Sequence, residues 1–499
     1  MTTSERTNVL LLFTDQQRFD TIHALGNPVI RTPNLDRLCR EGVAFTSAYT
    51  PCPVCVPARA CMHYGRHPCA IGCCDNPDAY PETASFMQIL TEAGYRTHGI
   101  GKCHFKPDRD ALRGFQSREV QEEAPAVGDQ QDYMQFLRKA GYDSQIEPSG
   151  VRGELYYIPQ LSSLPQEVHP TQWVGERSVA FIEENRDAAA PWFLFSSYIH
   201  PHPPFSPPSP WHKLYRADLM PDPVIPEDWE FLQTPINRAQ NRYKIRDDGW
   251  NRHLARCIKA YYYACISFVD YQVGRILQAL ESTGQLDNTL ILFAADHGEL
   301  LGDCRCFGKR SMHDGSMRIP LLARLPDRFE GGLRCDTPAS LIDIAPTIFG
   351  AADIPLASMP LDGEDLKRLA DGSSSRDTVF AQWQRGKKSI YTAVDQKWKY
   401  TYSAGDDREY LFDRVRDPLE RRSVAAHPHH RKTLLRLRRE TQEWVRRNAI
   451  REITELALDG ERWISYADSN PLADPNAGKI LQDPEGYEAL LPSMYRSVD

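Results

Sequence analysis

Apolar runs of strand length place the strongest constraint on how this chain can fold. The first, at 8–14, reads Asn-Val-Leu-Leu-Leu-Phe-Thr and is hydrophobic almost throughout instead of alternating. Similar runs lie at 192–199 and 290–295, and a shorter strand is predicted at 95–100. Continuous apolar strands are typically buried on both faces, as in parallel sheets covered by helices. With helical stretches between them, the longest near 256–281, these runs predict an α/β fold with a large, mainly parallel sheet.

A change of composition marks a second region of the chain. Near 371–375 the sequence reads Asp-Gly-Ser-Ser-Ser, and we place a domain boundary there. We predict a catalytic domain over 1–372 and a small C-terminal α+β subdomain over 373–452. Within the latter, 388–402 alternates like an antiparallel strand pair, and 431–447 has the pattern of a basic amphipathic helix.

Three segments lack clear periodicity. Two long stretches, about 116–170 and 203–250, are rich in proline, glycine and charge, which is typical of binding loops or lids. The last segment, 453–499, is rich in turn-forming residues and is predicted to form an extended C-terminal arm. We expect such an arm to build the interface of a homo-oligomer, a dimer or a tetramer.

Composition excludes several classes of partner. The net charge of −8 argues against a nucleic-acid binder, which would carry a basic surface. No apolar run approaches the roughly 20 residues needed to cross a bilayer, and residues 1–7 lack the features of a secretory signal. We therefore expect a cytoplasmic protein without a membrane partner. Its thirteen cysteines, an odd number, are then expected to be reduced thiols.

Seven cysteines crowd between positions 39 and 74, which raises the question of a zinc site. Structural zinc sites in proteins usually combine two C-x2-C or C-x2-C/H-x3-H pairs. The spacings here do not form such a pair with a matching second half, so the sequence gives zinc little support.

Polar clusters follow each predicted strand of the sheet. Because ligands bind at the carboxyl ends of strands in open α/β sheets, four such clusters predict one shared site. Carboxylate and amide oxygens with one imidazole suit calcium or magnesium, and manganese as well. The four clusters are Asp15 with Gln16, Lys102 with His104, His200 with His202, and Asp296 with His297.

Cys55 is the candidate nucleophile. Pro57 is well placed as the first residue of a helix over 59–64, which puts Cys55 just ahead of a helix N-terminus. Backbone N–H groups and the helix dipole favour an anion at such a position. Arg59, one turn further on, adds a fixed positive charge and a planar set of donors.

Several motifs together resemble those of the type I sulfatases of the alkaline-phosphatase-like superfamily. Residues 55–59, Cys-Val-Pro-Ala-Arg, resemble the C-x-P-S/A-R core, and 94–104 resembles the second sulfatase signature. The resemblance extends from about Thr7 to Leu325, in the right order. Further family motifs are matched by 32–38, by 201–204, and by 296–299 followed by Gly308 and Lys309.

The resemblance implies a fold, two cofactors and a set of site residues. The fold would be the alkaline-phosphatase-like sandwich, and a formylglycine-generating enzyme would oxidise Cys55 to formylglycine. One divalent cation, calcium with manganese as the alternative, would bind beside it. The implied metal ligands are Asp15, Gln16, Cys55, Asp296 and His297. The implied catalytic residues are Cys55, Arg59, Lys102, His104, His202 and Lys309, and the implied substrate-binding residues are Asn76 and His200.

Two of these positions depart from the commonest family pattern. Gln16 stands where an Asp is usual, and His297 stands where an Asn is frequent. Both changes resemble the choline-sulfatase and phosphonate-monoester-hydrolase branches, and the segment 70–76, which contains Asn76, resembles choline sulfatase. The sequence therefore leaves the identity of the metal open, and it assigns no choline substrate.

The resulting functional prediction is a sulfatase that hydrolyses sulfate monoesters to an alcohol and inorganic sulfate. A hydrated aldehyde at position 55 would supply the nucleophilic hydroxyl, and His202 would face the leaving-group oxygen. Two alternatives stay open. One is a phosphonate monoester or phosphodiester hydrolase with the same site, and the other is a non-catalytic metal-binding protein.

Overall fold

The computed structural model describes residues 6–126, 128–152, 155–238 and 251–469. The first strand, β1 (Asn8–Asp15), is buried along its whole length. Its side chains alternate between two hydrophobic cores, with Val9, Leu11 and Phe13 in one and Leu10 and Leu12 in the other. The continuous apolar run therefore marks a central strand with a core on each face, and the predicted α/β fold is confirmed.

An eight-stranded sheet forms the framework of the larger region. Its strand order is β5-β4-β6-β1-β7-β8-β2-β9, and β8 is the one strand that runs opposite to the others. The strands of this region are β1, β2 (Val43–Phe45), β3 (Ala48–Tyr49), β4 (Arg96–Gly101), β5 (Ser117–Val120), β6 (Trp192–Pro201), β7 (Thr289–Ala295), β8 (Leu321–Arg324), β9 (Leu333–Cys335) and β10 (Ala339–Ser340). A short parallel pair, β3 with β10, lies outside the large sheet.

Helices cover both faces of the large sheet. One core packs α2, α4 and α10 against it, and the other packs α1, α6 and α8. The described α-helices are α1 (Pro33–Glu41), α2 (Cys55–Tyr64), α3 (Pro68–Ile71), α4 (Phe86–Glu92), α5 (Asp132–Lys139), α6 (Pro170–Glu184), α7 (Trp229–Leu232), α8 (Arg252–Ser282), α9 (Asp314–Met317), α10 (Ile344–Ala351), α11 (Leu366–Ala370), α12 (Arg431–Asn448) and α13 (Arg451–Ala457).

A four-stranded antiparallel sheet follows the large one in the chain. Its strands pair in sequence order: β11 (Thr378–Trp383), β12 (Ile390–Asp395), β13 (Trp398–Ser403) and β14 (Arg408–Asp413). One face packs against α12 through Leu437 and Trp444. The other packs against the β3 region through Trp383, which shares a core with Tyr49 and Val54. The domain boundary predicted near 372 stays a prediction.

Two details of the predicted local structure differ from the observed one. Helix α2 begins at Cys55 itself, so Pro57 is its third residue and not its first. The predicted C-terminal arm begins inside helix α13 and continues into the short strands β15 (Leu458–Asp459) and β16 (Arg462–Trp463). Its remainder, 470–499, lies outside the described residues.

No described helix combines the length and the hydrophobicity that a membrane span requires. All thirteen cysteines are free thiols in this structure, and twelve of them are buried.

Candidate active site

The carboxyl ends of β1 and β7 bring the first polar cluster together. β1 ends at Asp15, and the next residue, Gln16, has a left-handed backbone conformation with φ of 65°. This turn aims the Gln16 backbone N–H at Asp296, whose Oδ1 accepts it at 2.9 Å. Since β1 and β7 are adjacent parallel strands, residues about 280 positions apart meet here.

Four buried side chains present ligand atoms to one another. One atom each from Asp15, Cys55, Asp296 and His297 lies within 4.8 Å of the other three. The Cys55 Sγ is 3.8 Å from Asp15 Oδ1 and 3.3 Å from His297 Nε2. All four residues are at most 1% exposed. Among the described residues this is the one grouping of His, Cys, Asp and Glu side chains that could hold a metal.

These four donors suit a divalent cation. Buried carboxylates that face each other are costly unless a positive charge compensates them. Two carboxylates match a hard cation such as Ca²⁺, and the imidazole and sulfur also allow Mn²⁺. The cysteine-rich segment contributes only Cys55 to the grouping, so the structure offers no second metal cluster in the described ranges.

Arg59 donates hydrogen bonds to both carboxylates of this grouping. Its Nε donates to Asp296 Oδ2 at 3.0 Å, and its Nη2 donates to Asp15 Oδ2 at 3.1 Å. Its Nη1 donates to the Lys102 carbonyl and to the Ser197 hydroxyl. One oxygen of each carboxylate thus accepts a hydrogen bond from Arg59, and the other oxygen faces the cluster. Arg59 therefore orients the two carboxylates, and its predicted catalytic role stays a prediction.

Two buried lysines add positive charge. Lys309 Nζ lies 2.7 Å from Cys55 Sγ and donates to Gln16 Oε1 at 2.9 Å. Lys102 Nζ lies 2.6 Å from Asp15 Oδ2, without the alignment of a hydrogen bond. The Gln16 oxygen therefore faces Lys309 in this structure, and its role as a metal ligand stays a prediction.

Burial and neighbouring charge shift the titration of this cluster. Burial raises the pKa of the Cys55 thiol to about 11, and Asp15 acts in the same direction. Burial also raises the pKa of Asp296, and Asp15 adds to the shift. Burial would raise the pKa of Asp15 too, but Lys102 and other cations hold it well below its ordinary value. One carboxylate of the pair is thus held as an anion by the lysine.

Asn76 explains why α2 begins at Cys55. The residue before it, Val54, offers no capping side chain, and Asn76 Oδ1 instead accepts from Val56 N at 3.2 Å. The nucleophile candidate therefore occupies the first turn of the helix, where free N–H groups point. Asn76 lies beside position 55 as the sequence predicts, and its contact with substrate stays a prediction.

The three predicted histidines outside the ligand grouping, His104, His200 and His202, occupy different surroundings. His104 has a buried Nδ1 with no hydrogen-bond partner among the described residues, and burial lowers its pKa. His202 Nδ1 is 3.0 Å from Glu123 Oε2. His200 Nδ1 lies 3.0 Å from the Thr171 hydroxyl of α6, and its buried Nε2 has no hydrogen-bond partner among the described residues. A substrate contact by His200 stays a prediction without support from these contacts.

Three residues of the site were not predicted. Glu123 follows β5 and contacts both Lys102 and His202, at 3.3 Å and 3.0 Å. Tyr157 donates to Glu299 Oε2 at 3.1 Å, and both side chains contact the Gln16 amide. Glu123 and Tyr157 lie in the long aperiodic segment 116–170. The one sequence feature there that could have pointed to Glu123 is the pair of glutamates at 122 and 123, just after the short strand β5.

Fold and site together define a hydrolase of the alkaline-phosphatase-like kind. A mainly parallel sheet between helices carries a metal-ligand grouping, a candidate nucleophile at a helix start and two lysines at its carboxyl edge. The family comparison agrees: the family model described as "Sulfatase" matches residues 7–354. A second, described as "N-sulphoglucosamine sulphohydrolase, C-terminal", matches residues 302–447. The chain belongs to the sulfatase family.

Individual relatives span most of the chain. An arylsulfatase of Clostridium perfringens is 31% identical over 433 residues, which cover 83% of this chain and 89% of that protein. A choline-sulfatase of Rhizobium meliloti is 28% identical over 446 residues, which cover 85% and 84%. Among solved structures, the phosphonate monoester hydrolase of Agrobacterium radiobacter shares the fold with a TM-score of 0.77 at 24% identity, covering 92% of this chain and 99% of that one.

Proposed function

We propose that this protein is a sulfatase that hydrolyses sulfate monoesters to an alcohol and inorganic sulfate, with the nucleophile derived from Cys55. The observation that carries the proposal is the meeting of Cys55 with Asp15, Asp296 and His297 inside 4.8 Å, with Lys309 at 2.7 Å from the sulfur. Both named relatives are sulfatases by description.

The proposal includes two additions to the chain. Oxidation of Cys55 by a formylglycine-generating enzyme would replace the thiol by a hydrated aldehyde with a nucleophilic hydroxyl. A divalent cation, Ca²⁺ or Mn²⁺, held by Asp15, Asp296, His297 and the side chain at 55, would polarise the reacting oxygens. The buried thiol itself, with its raised pKa, is a poor nucleophile at neutral pH.

The chain's own residues would then act on the sulfate. Lys102 and Lys309 are buried cations beside position 55 and would stabilise negative charge on the transferring group. Arg59 would keep the two carboxylates oriented towards the cluster. His104, with its free Nδ1, would accept the proton from the second hydroxyl when sulfate leaves.

A rival function shares this site. Sulfate monoesters and phosphonate monoesters both present one negative charge on a tetrahedral centre, and Gln16 with His297 resembles the phosphonate-monoester-hydrolase branch. The two functions differ in which ester is turned over fastest, so substrate comparison separates them.

The test compares three aryl esters on enzyme co-expressed with a formylglycine-generating enzyme and loaded with Ca²⁺ or Mn²⁺. We expect kcat/KM for 4-nitrophenyl sulfate to exceed that for a phosphonate monoester and a phosphate diester by at least about tenfold, which corresponds to about 1.4 kcal/mol. The opposite preference would assign the phosphorus esters instead. No turnover of any ester, with metal bound at position 55, would favour the non-catalytic alternative.

The remaining parts of the proposal concern the protein's setting. We propose a cytoplasmic homo-oligomer, a dimer or a tetramer, with a catalytic domain over 1–372, a subdomain over 373–452 and an arm over 453–499. Size measurement before and after removal of the arm tests the oligomer.

A further inference from the structure

Glu123 joins two residues of the candidate site that do not contact each other directly. Its Oε1 lies 3.3 Å from Lys102 Nζ, and its Oε2 lies 3.0 Å from His202 Nδ1. A third partner, Arg152, approaches from the outer side at 3.4 Å. The Glu123 side chain is 14% exposed, and those of Lys102 and His202 are at most 2% exposed. The carboxylate is therefore held on three sides by positive or hydrogen-donating groups.

The surroundings of His202 fix which ring nitrogen carries a proton. Nδ1 lies 2.8 Å from the Pro203 carbonyl and 3.0 Å from the Glu123 carboxylate, and both of these groups only accept hydrogen bonds. Nδ1 must therefore be the protonated nitrogen of the neutral ring. Nε2 has no hydrogen-bond partner among the described residues, so it is the nitrogen that is available to a ligand.

A carboxylate on Nδ1 also stabilises the doubly protonated ring. Burial lowers the pKa of His202 to about 4, and Glu123 is the largest of the groups that oppose this shift. Asp15 acts in the same direction as Glu123, whereas Lys309 opposes it. Further neighbours are the Tyr156 ring, at 6.3 Å between ring centres, and the rings of His200 and His297, which have lowered pKa values and stay neutral.

We propose that Glu123 is a positioning residue for leaving-group protonation, which it controls by holding His202 with Nε2 towards the ester oxygen and by stabilising the imidazolium. The inference rests on the proposed function. In this step sulfur forms its new bond to the nucleophile at position 55 as its bond to the ester oxygen breaks. The electron pair of the broken bond stays on the ester oxygen and takes the Nε2 proton of the doubly protonated His202 ring, which is left as the neutral ring with its proton on Nδ1.

This role predicts an effect that depends on the leaving group. An ester with a weakly basic leaving group, such as 4-nitrophenyl sulfate, needs little protonation, whereas phenyl sulfate and alkyl sulfates need more. The contact of Glu123 with Lys102 acts on the sulfate itself and would slow all esters equally. The slope of log kcat/KM against leaving-group pKa therefore isolates the action through His202.

The experiment measures this slope for wild-type enzyme and for Glu123→Gln, both matured and loaded with the same metal, on a series of substituted phenyl sulfates. General acid catalysis contributes about 10²–10⁴-fold. We expect kcat/KM for phenyl sulfate to fall at least about tenfold more than that for 4-nitrophenyl sulfate, with the basic limb of the pH profile moved to lower pH. An equal fall for every ester, with an unmoved pH profile, would overturn the proposal.

Two further variants keep the result decisive. Arg152→Met removes the outer partner of Glu123 and should change the slope less than Glu123→Gln does, because the carboxylate keeps its contacts with Lys102 and His202. His202→Asn should steepen the slope as Glu123→Gln does, and the double variant should add no further change, because both act through one group. If Glu123→Gln does not fold, Glu123→Asp must steepen the slope in the same direction, and a wild-type slope in that variant contradicts the proposal.

Failure of the proposed function is a separate outcome. If wild-type enzyme turns over aryl phosphonates and no sulfate, the proposed substrate class is wrong. The same slope measured on aryl phosphonates then decides the role of Glu123.

Discussion

Two buried clusters of charged residues in this protein differ in how fully their polar atoms pair with one another. The catalytic cluster comprises Asp15, Cys55, Arg59, Lys102, Asp296, His297 and Lys309. The joint cluster comprises Asp314, Lys399 and Glu420, and it connects the antiparallel sheet to the segment that follows Lys309. In the joint cluster, Lys399 Nζ donates to Asp314 Oδ1 at 2.7 Å and to Glu420 Oε1. Glu420 Oε2 accepts from Asp314 N at 2.7 Å.

The joint cluster is saturated, and the catalytic cluster is not. Both are buried: Lys399, Asp15 and Asp296 are each 0% exposed. In the catalytic cluster, however, ligand atoms face one another within 4.8 Å, and Lys102 Nζ finds no aligned acceptor in the part of the chain that the structure describes. Buried polar groups normally satisfy one another, so a cluster that does not is a candidate for binding something else. Burial of charge alone therefore does not distinguish a functional cluster from a structural one.

The largest effect is expected from the catalytic cluster. Cys55→Ala removes the proposed source of the nucleophile, and we expect kcat to fall by at least about 10⁴-fold, the scale on which loss of a catalytic nucleophile acts. Folding should be retained, because the change removes one buried sulfur. Steady-state rates after metal loading, with circular dichroism, measure both. Cys265→Ala, at a buried cysteine of α8, should keep wild-type kcat. A Cys55→Ala enzyme of wild-type rate would contradict the assigned nucleophile.

A second change tests the joint cluster. Lys399→Met leaves two buried carboxylates without the lysine that they share, and we expect the free energy of unfolding to fall by about 3–5 kcal/mol. The change in the urea midpoint measures this loss. Lys397→Met, two residues away on an exposed side chain, should stay within about 0.5 kcal/mol of wild type. If Lys399→Met costs as little as its exposed control, the joint cluster does not stabilise the fold. Turnover per folded molecule should stay close to wild type.

The smallest effect is expected on stability when the pH is lowered. Burial would raise the pKa of Asp314, but Lys399 and two arginines hold it well below its ordinary value. A carboxyl group with a lowered folded pKa adds stability above its unfolded pKa of about 3.9, and that stability is lost as pH falls towards the folded pKa. Below pH about 4, wild type should lose about 1.4 kcal/mol per pH unit more than Lys399→Met does. Urea midpoints at several acidic pH values measure the two slopes, and parallel slopes would contradict the assignment.

The sequence predicted the fold class and most of the catalytic cluster because both follow from local patterns. The runs at 8–14 and 290–295 are apolar on both faces, so they could only be central strands, and adjacent central strands place Asp15 beside Asp296. Cys55 and Lys309 came from motifs whose order along the chain is specific to the family.

Contacts that depend on tertiary structure could not be predicted from the sequence. The start of α2 was misplaced because Asn76, and no residue before Cys55, supplies the acceptor for Val56 N. Glu123 was missed because its partners, Lys102 and His202, come from two other strands and no periodicity surrounds it. His200 shared its strand end with His202, yet the packing of α6 turned it towards Thr171.

The position of β7 in the sheet determines how late in translation the core around Cys55 can be completed. β1 pairs with β7, and about 240 residues separate Cys55 from the end of that strand. At a translation rate of about 5–20 residues per second, the ribosome needs roughly ten seconds to a minute to make them. During that interval β1 lacks its neighbour β7, so the core that leaves Cys55 1% exposed in the folded chain is not yet complete. An enzyme that oxidised Cys55, as proposed above, would therefore have to act before β7 is in place, and slower translation would raise the modified fraction.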